Sequence, residues 1–279
     1  YHLRIHPENV ADTVILVGDP ARVDVVSSYF DRIEFRKQNR EIKTHTGVIG
    51  NKRLTVMSTG MGADNVDIVM NELDALVNID FTTRTIKEDL KSLSIIRLGT
   101  SGGLQPDLPL NAIVASEYAL GLDGVVQFYD YGFSDKEKQI RDTFRNFTGW
   151  KANLPAPYVI EPKGRLIDLF ENEKLYKGIT VTAPGFYGPQ GRQLRLPLAM
   201  PGLNSKLQAF SFENIRILNY EMETSALYGL GNLMGHRTLT LCVAIANRNR
   251  REYNQNYQEA IKNLIEKLLD KIVKNHNYF

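Results

Sequence analysis

The chain has 279 residues, with 34 lysines and arginines against 32 aspartates and glutamates, a formal net charge of +2. Hydrophobic residues make up 43% and charged residues 24%, the balance of a globular protein able to bury a sizeable core. The near-neutral total argues against a nucleic-acid binder, and no run reaches the about 20 apolar residues that span a bilayer.

Tyr1-His-Leu-Arg-Ile carries no signal-peptide pattern, so a cytoplasmic location is expected. Val14-Ile-Leu-Val17 reads as a buried strand that ends at Gly18, with a helix from Pro20 to Tyr29. Residues 42–59 read as a hairpin around Gly50-Asn51, and a helix follows with Val66, Val69, Met70, Leu73, Leu76 and Val77 at helical spacing. Ser94-Ile-Ile-Arg-Leu98 is the next strand, closed by the turn Gly99-Thr-Ser-Gly-Gly103. Further strands are expected near 112–120, 179–183, 215–219 and 238–246, with a long amphipathic helix at the C-terminal end. The stretch 127–160, polar and aromatic, reads as an irregular surface excursion. The single cysteine, Cys242, lies in an apolar run, which excludes an internal disulfide and points to a buried, inert thiol. Strands alternating with helices predict an α/β fold. A single domain over residues 1–279 is expected, with a central mixed β-sheet flanked by helices.

Four strand ends carry chemistry. Gly18-Asp-Pro-Ala-Arg22 opens a helix, where backbone N–H groups and Arg22 can cradle an anion; taken alone, so short a motif reads first as a plain turn with a surface arginine. Arg97-Leu-Gly-Thr-Ser-Gly-Gly103 delivers an arginine and a small-residue run that lets backbone approach a ligand. It lacks the lysine of a nucleotide P-loop, and Arg97 on a buried strand needs an anionic partner. Asn219-Tyr-Glu-Met-Glu-Thr-Ser225 sets Glu221 and Glu223 at a strand end and helix start, where they either cap the helix or accept sugar hydroxyls. Pro184-Gly-Phe-Tyr-Gly-Pro-Gln-Gly-Arg192 offers a ring, an amide and a cation, the parts that meet a nucleobase, although such a Gly/Pro loop can also be incidental. Ligands of open α/β sheets collect at strand carboxyl ends. Together the four loops amount to sites for an anion, a hydroxylated sugar and a heterocycle.

The order of motifs resembles the hexameric, uridine-phosphorylase-like family of nucleoside phosphorylases. It runs Gly-Asp-Pro-x-Arg, Asn39-Arg-Glu41, Ser-Thr-Gly-x-Gly, Arg-x-Gly-Thr-x-Gly, Phe-Tyr-x-x-Gln-x-Arg and Tyr-Glu-Met-Glu, and spans His2 to Arg248 except about 124–178. The resemblance implies phosphorolysis of uridine in pyrimidine salvage, with phosphate as co-substrate and no cofactor or metal. Phosphate would lie among Gly18, Arg22, Arg97 and Thr100, completed by Arg40 of a neighbouring subunit. Glu223 and Met222 would hold the ribose, and the neighbour's His2 would meet its 5′-hydroxyl. Phe186, Gln190 and Arg192 would take the base, with Arg248 at the pocket lid. Arg97, Arg192 and Glu223 would carry catalysis.

The resemblance also implies a homo-oligomer with shared sites, a hexamer made as a trimer of dimers, acting on uridine and phosphate with no nucleic acid or membrane partner. His2 as a mobile terminal residue and Arg40 as a solvated charge remain the plain alternatives. Purine-specific relatives carry an aspartate after the strand that matches 238–246, and nucleosidases lack the phosphate arginines; here the strand runs into Asn247-Arg248. A purine phosphorylase, a nucleosidase of the same fold and a non-catalytic binder are the rival functions. The chain departs from the family at Gly188-Pro189, where Pro-Gly is usual, and at Asn65, where a serine is usual. The latter leaves a monovalent cation near Glu41 unclaimed.

Overall fold

A computed structural model describes residues 1–275; the last four residues of the expected 1–279 domain lie outside it. Strand β1 (Thr13–Val17) is buried at every position. The Asp19 side chain then accepts the Ala21 N–H at 2.9 Å and caps helix α1 (Pro20–Ser27), whose first residue has its φ fixed by the proline ring. Strands β3 (Ile42–Ile49) and β4 (Lys52–Ser58) form the expected hairpin, and β2 (Arg32–Asn39) pairs antiparallel to β3 at the sheet edge. The charged and polar residues of β2 suit an edge that must not recruit another strand, while Ile33 and Phe35 pack against the core. Helix α2 (Ala63–Asn78) buries all six residues expected of it.

A small hairpin, β5 (Ile79–Asp80) with β6 (Thr85–Ile86), precedes β7 (Ser94–Gly103) and β8 (Ile113–Gly121). Here the structure corrects the expected turn: Gly99–Gly103 stays in the strand. The segment is held parallel to a later strand from Cys242 to Asn247, and Gly102 and Gly103 also pair with Tyr220 and Asn219. Residues 127–160 are also more regular than expected. They contain helix α3 (Asp135–Thr148) and strand β9 (Tyr158–Ile160), and a reciprocal Ser134–Glu137 capping box starts the helix.

The remaining elements are β10 (Tyr176–Thr182), α4 (Leu203–Ala209), β11 (Ser211–Phe212) and β12 (Ile215–Glu221). Then come α5 (Thr224–Leu233), β13 (Arg237–Asn247), β14 (Glu252–Tyr253) and α6 (Gln258–Lys274). The main path of the mixed sheet is β11-β12-β10-β8-β13-β7-β1-β4-β3-β2. An extra antiparallel pairing of β12 with β7 joins β7, β13, β8, β10 and β12 into a closed ring. One face of the sheet buries Met70 and Leu73 of α2 against Leu227 and Leu230 of α5, and the other buries Val23 of α1 and Ile265 and Leu268 of α6. Each such aliphatic side chain contributes about 1.5–3 kcal/mol of burial. Strands β7 and β12 run in opposite directions and overlap at their carboxyl ends. The fold therefore gathers the ends of both strand sets around one place.

Candidate active site

A cavity of about 800 Å³ opens at that place. Gly18 and Arg22 line it from the β1–α1 turn, Arg97 and Thr100 from β7, Met222 and Glu223 from the end of β12, and Phe186, Gln190 and Arg192 from the loop after β10. Arg97 is 5% exposed. Its Nη2 donates to Glu223 Oε2, and its Nη1 lies 3.2 Å from Glu221 Oε2 and 3.4 Å from Cys242 Sγ. Burial works against the Arg97 charge, but the two carboxylates outweigh it and hold the guanidinium protonated. Burial pushes the Glu223 carboxyl upward; Arg97 pulls it back and Glu221 adds to the upward push. Glu223 Oε1 also accepts the Gly62 N–H at 2.7 Å, at the start of α2. The anionic partner that Arg97 requires is thus supplied by the protein itself, on one side of the guanidinium.

Arg22 sits half-buried beside this pair, its Nη1 donating to the Leu98 carbonyl at 3.3 Å. Burial and the nearby Arg97 lower its pKa, an arrangement that an anion between the two arginines would relieve. The helix α1 start and the Gly18 backbone add further positive potential at the same end.

The other end is built on Gln190, which is 4% exposed. Its Oε1 accepts from Arg192 Nη1 at 2.5 Å and from Arg248 Nη2 at 2.9 Å, and Arg248 Nη1 donates to its backbone carbonyl. Two guanidiniums on Oε1 fix the amide so that its Nε2 remains as donor. Phe186 lines the cavity, and the Arg192 guanidinium lies over one face of its ring, 3.6 Å from the centroid, with Nη1 also on the Phe186 carbonyl. Burial lowers the Arg192 pKa, and burial together with Arg192 brings Arg248 down to about 10. This end is a cationic wall with no carboxylate at the end of β13. Asn247 is turned aside, its Nδ2 donating to the Gln105 and Leu108 carbonyls.

The model of the phosphorylase superfamily matches residues 12–274. The chain belongs to this superfamily. A solved Trypanosoma brucei nucleoside phosphorylase, described as showing uridine phosphorylase activity, superposes with a TM-score of 0.89 at 30% identity; the match covers 99% of this chain and 97% of that one. The uridine phosphorylase of Thermococcus kodakarensis is 29% identical over 91% of this chain and 80% of its own length. A DeoD-type purine nucleoside phosphorylase of Listeria monocytogenes is 26% identical over 86% of this chain and 84% of its own.

Three of the residues expected at the site of this phosphorylase superfamily member, His2, Arg40 and Arg248, do not line its own cavity. His2 is tied elsewhere, its Nδ1 2.6 Å from Glu72 Oε1 and its carbonyl accepting Asn39 Nδ2 at 2.7 Å. Arg40 follows Asn39 at the exposed tip of the β2–β3 hairpin with φ +54°. The two residues therefore share one surface patch. Arg248 meets the cavity wall through Gln190 and lies 5.1 Å from the Tyr220 ring centroid. Tyr253 and Tyr257 line the cavity with no motif to announce them. Glu221, which sequence leaves undecided between cap and sugar ligand, accepts the Glu223 and Thr224 N–H groups at 2.9 and 3.0 Å and so caps α5.

Proposed function

We propose that the protein is a uridine phosphorylase. Inorganic phosphate attacks C1′ from the face opposite the base; the C1′–O bond forms, the C1′–N1 bond breaks, and its electron pair leaves on uracil. The products are uracil and α-ribose 1-phosphate. What carries the reading is the base end: Gln190 and Arg192 converge there, Arg248 braces them, and Asn247-Arg248 stands where purine-cleaving relatives are expected to carry an acid. A cationic wall aimed at the leaving base stabilises a uracil anion without a dedicated general acid.

In this reading Arg22, Arg97, Thr100 and Gly18 bind phosphate, Glu223 and Met222 bind the ribose, and Phe186, Gln190 and Arg192 hold the base. Arg97, Glu223 and Arg192 carry the chemistry, by positioning and charge. Support for a shared site comes from His2 and Arg40: they lie together on one patch outside their own cavity, as residues donated to a neighbour would. We further propose a cytoplasmic enzyme of pyrimidine salvage, assembled as a hexamer from three dimers.

The test is base release from uridine, thymidine and inosine, followed by ultraviolet absorbance with and without phosphate. Phosphate-dependent loss of uridine is the expected result. Release without phosphate would make it a nucleosidase, preference for inosine a purine enzyme, and binding without release a non-catalytic protein. Arg192→Ala is expected to lower kcat about 100- to 1000-fold, the usual loss of a donor aimed at developing charge. Wild-type turnover in that variant would remove Arg192 from the base site.

A further inference from the structure

We infer that Glu221 is a positioning residue: it anchors one arm of Arg97, leaving the other arm to be shared between Glu223 and the anionic substrate. The names of the substrates rest on the uridine phosphorylase reading; the geometry does not. The Glu221 side chain is 1% exposed. Its Oε1 accepts the Thr182 hydroxyl at 2.6 Å and the Thr224 N–H at 3.1 Å. Its Oε2 accepts the Glu223 N–H at 2.9 Å and lies 3.2 Å from Arg97 Nη1. The Thr224 N–H is shared with Oε2 at 3.0 Å, so both oxygens of Glu221 are committed to protein partners rather than to a sugar hydroxyl.

Its donors belong to the frame: a hydroxyl from the end of β10 and two amides from the start of α5. Arg97 Nη1 is therefore ion-paired with a carboxylate held fast by the frame, with the Cys242 thiol as its hydrogen-bond acceptor. Nη2 sits on Glu223, and the buried Nε has no hydrogen-bond partner among the described residues. An anion that engages the free side of this guanidinium draws Nη2 from Glu223 and frees an oxygen for the ribose hydroxyls. Without the Glu221 anchor, Arg97 turns wholly to Glu223 and the anion must break that pair unaided.

The experiment compares wild type with Glu221→Gln, Thr182→Val and Thr182→Ser by steady-state kinetics and by calorimetric titration with inorganic phosphate alone. Glu221→Gln is expected to raise the phosphate KM and Kd about tenfold, through loss of one buried ion pair, with kcat at saturating phosphate within about threefold. Thr182→Val removes a donor that aims Glu221 and moves phosphate affinity in the same direction by less; Thr182→Ser restores it. A purely structural role would instead reduce the active fraction, and hence kcat, with KM unchanged. Phosphate KM and Kd within about twofold of wild type in Glu221→Gln overturn the inference. So does unaltered phosphate affinity in Thr182→Val if Glu221→Gln fails to fold, and so does a wild type that binds no phosphate. A wild type that binds phosphate but leaves uridine intact overturns the functional reading alone, and the calorimetric comparison still decides the role of Glu221.

Discussion

Arg97 brings a charge into the interior and is held there by Glu221 and Glu223 on one side and the Cys242 thiol behind. Removing one member of such a cluster leaves the others buried and uncompensated. Arg97→Ala is therefore expected to lower stability by about 3–5 kcal/mol in denaturant melts, before any effect on phosphate use is read. An unchanged melting midpoint would mean the two glutamates are not dependent on it. That Arg97 needs an anion is legible from one arginine in an apolar strand. Which anion is not, because Glu223 lies 126 positions away and meets it only through the fold. The same holds for Phe186, whose ring is covered on one face by a cation that nothing in the motif orients. Glu72 gives a pH-dependent case. Burial would raise its carboxyl, but the N–H groups of Leu3 and His2 and the His2 ring outweigh this and bring it down to about 2, from an ordinary 4.5. A depressed carboxylate stabilises fully above its unfolded value and ceases to do so as pH falls through the folded one. Attachment of the first residues is thus expected to weaken between about pH 4.5 and about 2, seen as faster amide exchange at His2 and Leu3. Glu72→Gln should remove that pH dependence, and a residual transition in the variant would assign it to another group.

Among the elements, β7 departs most usefully from its sequence. Glycine and small residues read as a turn, yet 99–103 remain extended because β13 runs beside them for the whole distance. Gly99 is required by what crosses it: a Cβ there would stand 2.4 Å from Arg97 Nη1 and 2.9 Å from Cys242 Sγ. Gly99→Ala should displace the guanidinium, costing about 1–3 kcal/mol of stability and weakening phosphate binding; normal affinity would show that the arginine has room to move. Helix α3 was hidden for the opposite reason. It buries few apolar side chains, notably Ile140 and Phe144, so its hydrophobic stripe is thin. The start signal was nonetheless present as Ser134 and Glu137, and the β2 edge strand had none. Helices α2 and α6, with dense stripes, follow their periodicity closely.

At the scale of the whole molecule, the alternation of strands and helices was enough to give the α/β class and the mixed sheet. The ring closed by β12 and β7 was not legible, because it depends on two residue pairs at strand ends. That closure is what sets the Tyr-Glu-Met-Glu segment against the Arg-x-Gly-Thr run. The shared-site proposal is tested at this scale. His2 and Arg40 sit side by side through Asn39, so one docking event would deliver both. Mixing Arg40→Ala with Arg192→Ala protein, after exchange of subunits, is expected to restore turnover that neither has alone. Each mixed pair would then hold one pocket with both arginines. No recovery despite proven exchange would confine the site to a single chain.

The extended course of 99–103 has a consequence for how the pocket can evolve. A loop at that place would reshape itself around each new ligand; a strand knitted into the sheet keeps its amides from exchanging until the sheet itself opens. The floor of the cavity is thus finished when folding ends, and no ordering is left to slow a ligand's arrival there. In the proposed reading, accommodation of a bulkier base or an altered sugar falls to the rim at 184–202 and 248–257, largely irregular apart from β14. Attempts to redirect specificity belong on that rim, where a changed contour does not put the sheet at risk.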